Sequence, residues 1–78
     1  MEPERVNVLA YFTRGVVTPI RLLVKNRLVT IKKIVLVTKR REGLSEILTF
    51  SLQSETSLYV VDFNKQTCQW KLLSSTLI

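Results

Sequence analysis

The sequence contains no histidine, one cysteine, two glycines and two prolines. Without histidine it lacks the commonest general base and the commonest metal ligand. One cysteine without histidine provides neither a zinc site nor a Cys–His nucleophile–base pair. Two isolated glycines do not make a phosphate-binding loop. We therefore expect a protein that is not an enzyme and that uses no metal and no cofactor.

Disulfides and membrane-spanning segments are not expected either. The single cysteine, Cys68, cannot form an internal disulfide, which suits a reducing compartment. The N-terminal MEPERV is unlike a signal peptide, and the basic segment's longest apolar run, Ile34–Val37, falls far short of the about 20 residues of a membrane helix. A cytoplasmic protein is expected, with Cys68 in the core beside Trp70, since free cysteine is commonly buried.

Acidic residues are absent from a long basic segment. Residues 14–41 carry nine Lys and Arg and no Asp or Glu, whereas residues 42–78 carry two basic and four acidic residues. The net charge of +6 is therefore concentrated in the first half of the chain. Such an asymmetry bears on partners rather than on fold.

The length and the hydrophobic pattern predict a small all-β protein. The 78 residues, 46% hydrophobic, suit a single domain over 1–78, with an ordered core of about 6–73 and a frayed tail at 74–78. Short alternations of β-branched and aromatic residues dominate. Residues 3–12 fit either a strand or a short helix beginning at Pro3, and their alternation favours the strand. Pro19 is expected at a strand start or edge.

The turns predict how the strands pair. A hairpin closed by Asn26-Arg27 places Val24 opposite Val29 and Leu22 opposite Ile31, which puts Arg21 opposite Lys32. A bulge at Lys32-Lys33 is expected to return Ile34 and Leu36 to the core. A four-residue turn at 64–67 pairs three sets of apolar residues on one face: Phe63 with Cys68, Val61 with Trp70, and Tyr59 with Leu72.

These elements predict a single antiparallel meander of five or six strands. A sheet this short buries its apolar face most easily by curling into a small, partly open barrel. The predicted core is Leu22, Val24, Val29, Ile31, Ile34, Leu36, Leu48, Phe50, Leu52, Tyr59, Val61, Phe63, Trp70 and Leu72.

The basic segment has three interpretations. It is a solvated sheet face that discourages aggregation, a nucleic-acid groove, or, with least support, a membrane-surface patch. The candidate nucleic-acid-binding residues are Arg21, Lys25, Lys32, Lys33 and Arg41, with Lys39 as a further member. The sequence thus predicts a non-catalytic binding module. The alternative is a protein-interaction or homodimer module that uses a strand edge or an apolar patch of Leu23, Val35 and Val37.

A series of signals along the chain resembles a known family. They are Val6/Val8, Arg14-Gly15, Pro19, Asn26-Arg27, a Val/Ile-rich strand within 31–41, and Asp62 followed by Trp70. Together they resemble a family of short bacterial all-β domains of unknown function, some found beside DNA-repair polymerase-like proteins. The resemblance implies no known activity, only an association with DNA metabolism.

Overall fold

The computed structural model describes residues 4–78, which form eight β-strands and no helix. In chain order the strands are β1 (Glu4–Arg5), β2 (Asn7–Thr13), β3 (Val16–Val24), β4 (Arg27–Thr30), β5 (Lys33–Glu42), β6 (Ser45–Gln53), β7 (Ser57–Asn64) and β8 (Gln69–Leu77). The all-β class is confirmed. The predicted number of strands, five or six, is wrong, because two long segments each bend and are divided between two sheets.

The strands make two antiparallel sheets where the sequence predicts a single meander. The larger sheet has the order β1-β8-β7-β6-β5, and the smaller has the order β2-β3-β4. Within each sheet, strands consecutive in the chain are neighbours, except that β1 returns to pair with β8. Residues 4–78 include no helix of the length and apolarity needed to cross a membrane.

The chain passes between the sheets at two bends. Between β1 and β2, the Val6 amide donates to the Trp70 carbonyl at 3.3 Å. Between β4 and β5, the Ile31 amide donates to Ile20 of the smaller sheet at 2.9 Å, and the Lys32 amide donates to Gln53 of the larger sheet at 2.8 Å. Two adjacent residues thus donate hydrogen bonds to different sheets, so the backbone amides of both remain satisfied through the bend.

The predicted bulge lies two residues further along the chain. The register between β5 and β6 shifts between Ile34 and Leu36, which makes Val35 the extra residue. Leu36 therefore points outward and is 56% exposed, so its assignment to the core was wrong. The bend at Ile31–Lys32 already accounts for the lost alternation there, and the bulge then reverses the side-chain alternation after Ile34.

The β3–β4 hairpin closes one residue earlier than predicted, at Lys25-Asn26. Both residues have positive φ, 48° and 65°, as a type I′ turn requires. Leu22 therefore pairs with Val29 rather than with Ile31, and Arg21 faces Thr30 rather than Lys32. A shift of two residues in the pairing keeps every side chain on its predicted face.

The β7–β8 hairpin differs from its prediction in the same way. Phe63 pairs with Trp70 and Val61 with Leu72, so the loop spans residues 65–68. The predicted pairing of Tyr59 with Leu72 was also wrong, because a bulge between Val60 and Val61 places Tyr59 opposite Ser75. Cys68 lies in this loop, exposed and at a φ of 60°, so its predicted burial in the core was wrong. The Asn64 carboxamide explains the difference.

That carboxamide oxygen accepts hydrogen bonds from the amides of Gln66 at 2.8 Å and Thr67 at 3.2 Å. This local capping stabilises the turn with Asn64 at its start. The Cys68 amide then donates to the Asn64 carbonyl at 2.7 Å and closes the loop.

Strands lie at both ends of the described chain, and Pro19 lies within a strand. Residues 7–13 form a strand, as the alternation favours, while Pro3, the start of the helical alternative, lies outside the described residues. Strand β8 continues to Leu77, through the segment expected to fray. Pro19 lies inside β3 rather than at its start, opposite Ala10 and beside a bulge. Because β4 does not extend to this position, Pro19 needs no hydrogen-bond partner on that side.

One hydrophobic core is shared by the two sheets. Its buried members are Val6, Val17, Leu22, Val29, Phe50, Leu52, Tyr59, Val61, Phe63, Trp70 and Leu72. Four predicted members, Val24, Ile31, Ile34 and Leu48, are half-buried against it. Two buried core members were not predicted: Val6, in the bend between β1 and β2, and Val17 of β3.

Candidate nucleic-acid interface

A row of directly opposed residues crosses the inner, core-facing side of the larger sheet. Lys39 of β5 lies opposite Leu48 of β6, Leu48 opposite Phe63 of β7, and Phe63 opposite Trp70 of β8. Directly opposed residues of antiparallel strands project to the same face. The core face is therefore apolar at β7 and β8 and becomes cationic at its β5 edge.

Three cations lie near one carboxylate at the end of this face, and one of them, Lys65, contacts it. Arg41 lies directly opposite Glu46, and Lys65 Nζ is 2.8 Å from Glu46 Oε1. The hydrogen bond from Lys65 lowers the pKa of Glu46, and the charges of Lys39 and Arg41 lower this pKa further. We call Lys39, Arg41 and Lys65 the cationic cluster. With Glu46 ionised, its three positive charges and the one carboxylate leave two unbalanced positive charges.

An exposed aromatic side chain lies over the same face. Phe12 of β2 contacts Phe63 edge-on, with ring centroids 5.8 Å apart, yet 62% of Phe12 is exposed. Lys39 is two strands from Phe63 in the same row, a separation of about 10 Å. The arrangement brings an accessible aromatic ring and several cations to one surface. Proteins that bind single-stranded nucleic acids commonly combine these two features.

The outer face of the larger sheet carries a different charged group. Arg40 reaches Asp62 with both terminal nitrogens, at 3.3 Å to Oδ1 and 2.8 Å to Oδ2. Thr49 donates to Asp62 Oδ1, and Arg40 Nε donates to Glu42 at 3.2 Å. Strands β5, β6 and β7 are therefore linked across this face by a side-chain network.

The carboxylate of this network stays ionised. Burial would raise the pKa of Asp62, but the hydrogen bonds from Arg40 and Thr49 outweigh it and hold that pKa below its ordinary value. Conversely, the hydrogen bond to Asp62 raises the pKa of Arg40. A pocket of about 410 Å³ opens beside the network, with Arg40, Asp62 and Lys71 in its wall. The charge of Arg40 is thus balanced by Asp62 and Glu42.

The structure does not gather the five sequence candidates into one groove. Arg41 lies in the cationic cluster, Arg21 on the outer face of the smaller sheet and Lys25 in the β3–β4 turn. Lys32 and Lys33 lie at the bend between the sheets. Lys33 and Arg41 are eight residues apart on β5, about 26 Å along the strand.

Sequence reasoning missed two members of this surface, Phe12 and Lys65. Phe12 and Tyr11 are both exposed and lie on opposite faces of β2, so that only Phe12 is on the inner side. Lys65 follows the turn start at Asn64, and only the correct hairpin register brings it to Glu46. The correct register of the β7–β8 hairpin was the signal required to find Lys65.

The predicted apolar patch is divided between two places. Leu23 lies on the outer face of the smaller sheet, where it borders a shallow pocket with Leu9 and Leu28. Val35 and Val37 lie on β5 of the larger sheet. Leu23 therefore forms no common surface with the two valines within one sheet.

Comparison with known proteins adds no family to this geometry. No family model, no curated protein and no solved structure matches the chain.

Proposed function

We propose that the protein is a non-catalytic module that binds single-stranded nucleic acid on the inner face of the larger sheet at its β5 end. The cationic cluster contacts backbone phosphates, and the ring of Phe12 stacks on a base. The observation that carries this proposal is the position of Lys39, Arg41 and Lys65 at one end of the inner face, next to Glu46, on the face that Phe12 overlies.

The arrangement of the two sheets supports such a surface. We propose that they act as the halves of a partly open barrel, joined at the two bends and separated where the β2–β3 and β5–β6 hairpins extend beyond the paired region. The inner face of β5 is accessible in that opening. Small β-barrels commonly bind single strands in this way, and an association with DNA metabolism, implied by the family resemblance, agrees with it. An exposed thiol at Cys68 suits the reducing cytoplasm.

The first test is a titration with labelled single- and double-stranded oligonucleotides at several salt concentrations. Phosphate neutralisation makes the logarithm of the binding constant fall linearly with the logarithm of salt, by about 0.7 per phosphate contacted on a single strand. Three contacts predict a slope of about −2. Absence of binding to either oligonucleotide at low salt would contradict the proposal.

Charge variants of equal net charge locate the surface. Lys39→Gln/Arg41→Gln removes two members of the cationic cluster, and we expect weaker binding and a slope smaller by about 1.4. Arg21→Gln/Lys25→Gln removes the same charge from the other sheet and is the matched control. Equal losses in the two variants would show a nonspecific effect of net charge and would exclude the cluster as the binding site.

An aromatic pair tests stacking. Phe12→Leu should weaken single-strand binding by about 1–3 kcal/mol, the usual contribution of one base stacked on an aromatic side chain. Tyr11→Leu is the control, because Tyr11 is equally exposed, at 64%, but lies on the opposite face of β2. The same loss in both variants would argue against stacking on Phe12.

A further inference from the structure

Strand β5 has one open edge. It ends the strand order of the larger sheet and pairs with β6, and no other strand of residues 4–78 pairs with its opposite side. Alternate residues of an antiparallel strand direct their N–H and C=O groups away from the neighbour. Over the ten residues Lys33–Glu42, the strand therefore presents unpaired backbone donors and acceptors to solvent.

Apolar side chains accompany this open backbone. Val35, Leu36 and Val37 are all about half exposed. Leu36 lies on the outer face and Val37 on the inner face, because the first opposes Ser51 and the second Phe50. Natural edge strands are usually short, covered or bulged to prevent pairing with another chain. A long edge with apolar side chains on both faces is instead typical of strand addition, in which an incoming segment pairs with the backbone and places alternate side chains on the two faces.

The charges of β5 indicate which segment fits. The strand carries Lys33, Lys39, Arg40 and Arg41 and a single carboxylate, Glu42. A second copy of the chain would bring the same four cations and a further net charge of +6. Like charges facing each other across strands are destabilising, so the edge disfavours pairing with itself. An acidic strand would place carboxylates opposite these cations.

We propose that the open edge of β5 accepts an extended acidic segment of a partner protein as an additional strand of the larger sheet. The site shares the charges of Lys39 and Arg41 with the nucleic-acid surface but differs from it in the backbone groups that it uses. The edge offers backbone amides and carbonyls in the plane of the sheet, whereas the nucleic-acid surface uses side chains of the inner face.

The test uses a capped ten-residue peptide that alternates valine with glutamate, and a matched peptide that alternates valine with lysine. Amide hydrogen exchange of the full chain is followed by NMR. With the glutamate peptide, we expect exchange of alternate amides within residues 35–42 to slow at least about tenfold, because these amides become hydrogen-bonded. The lysine peptide should leave their exchange unchanged.

Three results would overturn this proposal. They are no slowing with the glutamate peptide, slowing confined to residues outside β5, and slowing that rises with protein concentration in the absence of peptide, which would identify a second copy as the occupant. An oligonucleotide in place of the peptide should perturb Phe12 and Lys65 and leave the edge amides unprotected. Failure of the peptide experiment is therefore separate from failure of nucleic-acid binding.

Discussion

At the scale of single residues, Asp62 has the most constrained environment of the charged groups described. The residue is only 8% exposed, yet its carboxylate is satisfied by Arg40 from β5 and Thr49 from β6. A buried carboxylate without such partners would be strongly destabilising. Because Arg40 itself is partly solvated, the pair is worth less than a fully buried one.

We expect Asp62→Asn to lower the free energy of unfolding by about 1–2 kcal/mol at neutral pH, which is lower than the usual range of about 1.5–3 kcal/mol for a charged hydrogen bond because Arg40 is partly solvated. The pKa of Asp62 is lower in the folded state than its ordinary value of 3.8. Its contribution is therefore present above that value and is lost as the pH falls through the folded-state pKa. The difference in stability between wild type and variant should shrink as the pH is lowered below about 4.

Urea denaturation across this pH range measures the difference. Glu55→Gln is the control, because Glu55 is exposed and forms no ion pair with the residues that the structure describes. A constant deficit for Asp62→Asn down to the lowest pH would show that its effect comes from packing rather than from ionisation.

At the scale of elements, the sequence predicts faces better than registers. In the β3–β4 hairpin, and in β7–β8 at Phe63 and Val61, the predicted strand residues face the core but the pairing is in error by two residues. Cys68 is the exception, because it lies in the loop instead of the core. Alternation determines the face, since a shift of one residue would turn every side chain over, but it does not distinguish shifts of two. The turns decide between these, and Lys25 and Cys68 adopt positive φ without being glycine.

The same limit applies to the candidate site. Arg41 was identified from the basic segment alone, because composition shows where charge is concentrated. Lys39 was also named from that segment, but Lys65 and Phe12 were not, because they come from distant segments whose position depends on hairpin register and on the passage of the chain between sheets. The bend at Ile31–Lys32, where adjacent amides donate to different sheets, is not marked by glycine, proline or any other residue type typical of bends.

The bulge on β5 gives a test at this scale. Leu36→Ala should change the free energy of unfolding by no more than about 0.5 kcal/mol, as exposed positions usually do. Leu52→Ala, on the paired strand, should cost about 2–5 kcal/mol, because Leu52 is 0% exposed in the core.

Chemical denaturation of both variants gives these values, with similar slopes if each unfolds in one step. A cost for Leu36→Ala comparable to that of Leu52→Ala would return Leu36 to the core and place the bulge elsewhere on β5. Leu23→Ala is a further control, since Leu23 is also exposed and lies on the other sheet.

At the scale of the whole molecule, charge is poorly balanced. Of the twelve Lys and Arg residues, only Arg40 and Lys65 form ion pairs within residues 4–78. The molecule measures 35 × 32 × 21 Å. At about 10 mM salt the screening length of about 30 Å covers most of it, whereas at about 150 mM the length is about 8 Å. Folding at low salt therefore brings together cations that repel one another.

We expect the protein to become more stable as sodium chloride is raised from about 10 to about 150 mM. Two like charges about 10 Å apart in water repel by about 0.4 kcal/mol. Several such pairs give an expected gain of about 1 kcal/mol, or about 4–8 °C in Tm for a domain of this size. The experiment uses a chloride salt and not a sulfate salt, because sulfate also stabilises the folded state by strengthening apolar burial.

The variant Arg21→Gln/Lys25→Gln separates charge repulsion from other effects of salt. Both side chains are exposed, so their removal should leave packing unchanged while lowering the net charge from +6 to +4. The variant should melt at a higher temperature than wild type at low salt, and its Tm should rise less as salt is added. A Tm that falls with salt would show that the three ion pairs of Arg40 and Lys65 outweigh the repulsion, and that the unpaired cations are far enough apart to be independent. The cationic cluster would then gain little from neutralisation by a ligand, so this outcome would also lower the affinity expected for a phosphate backbone.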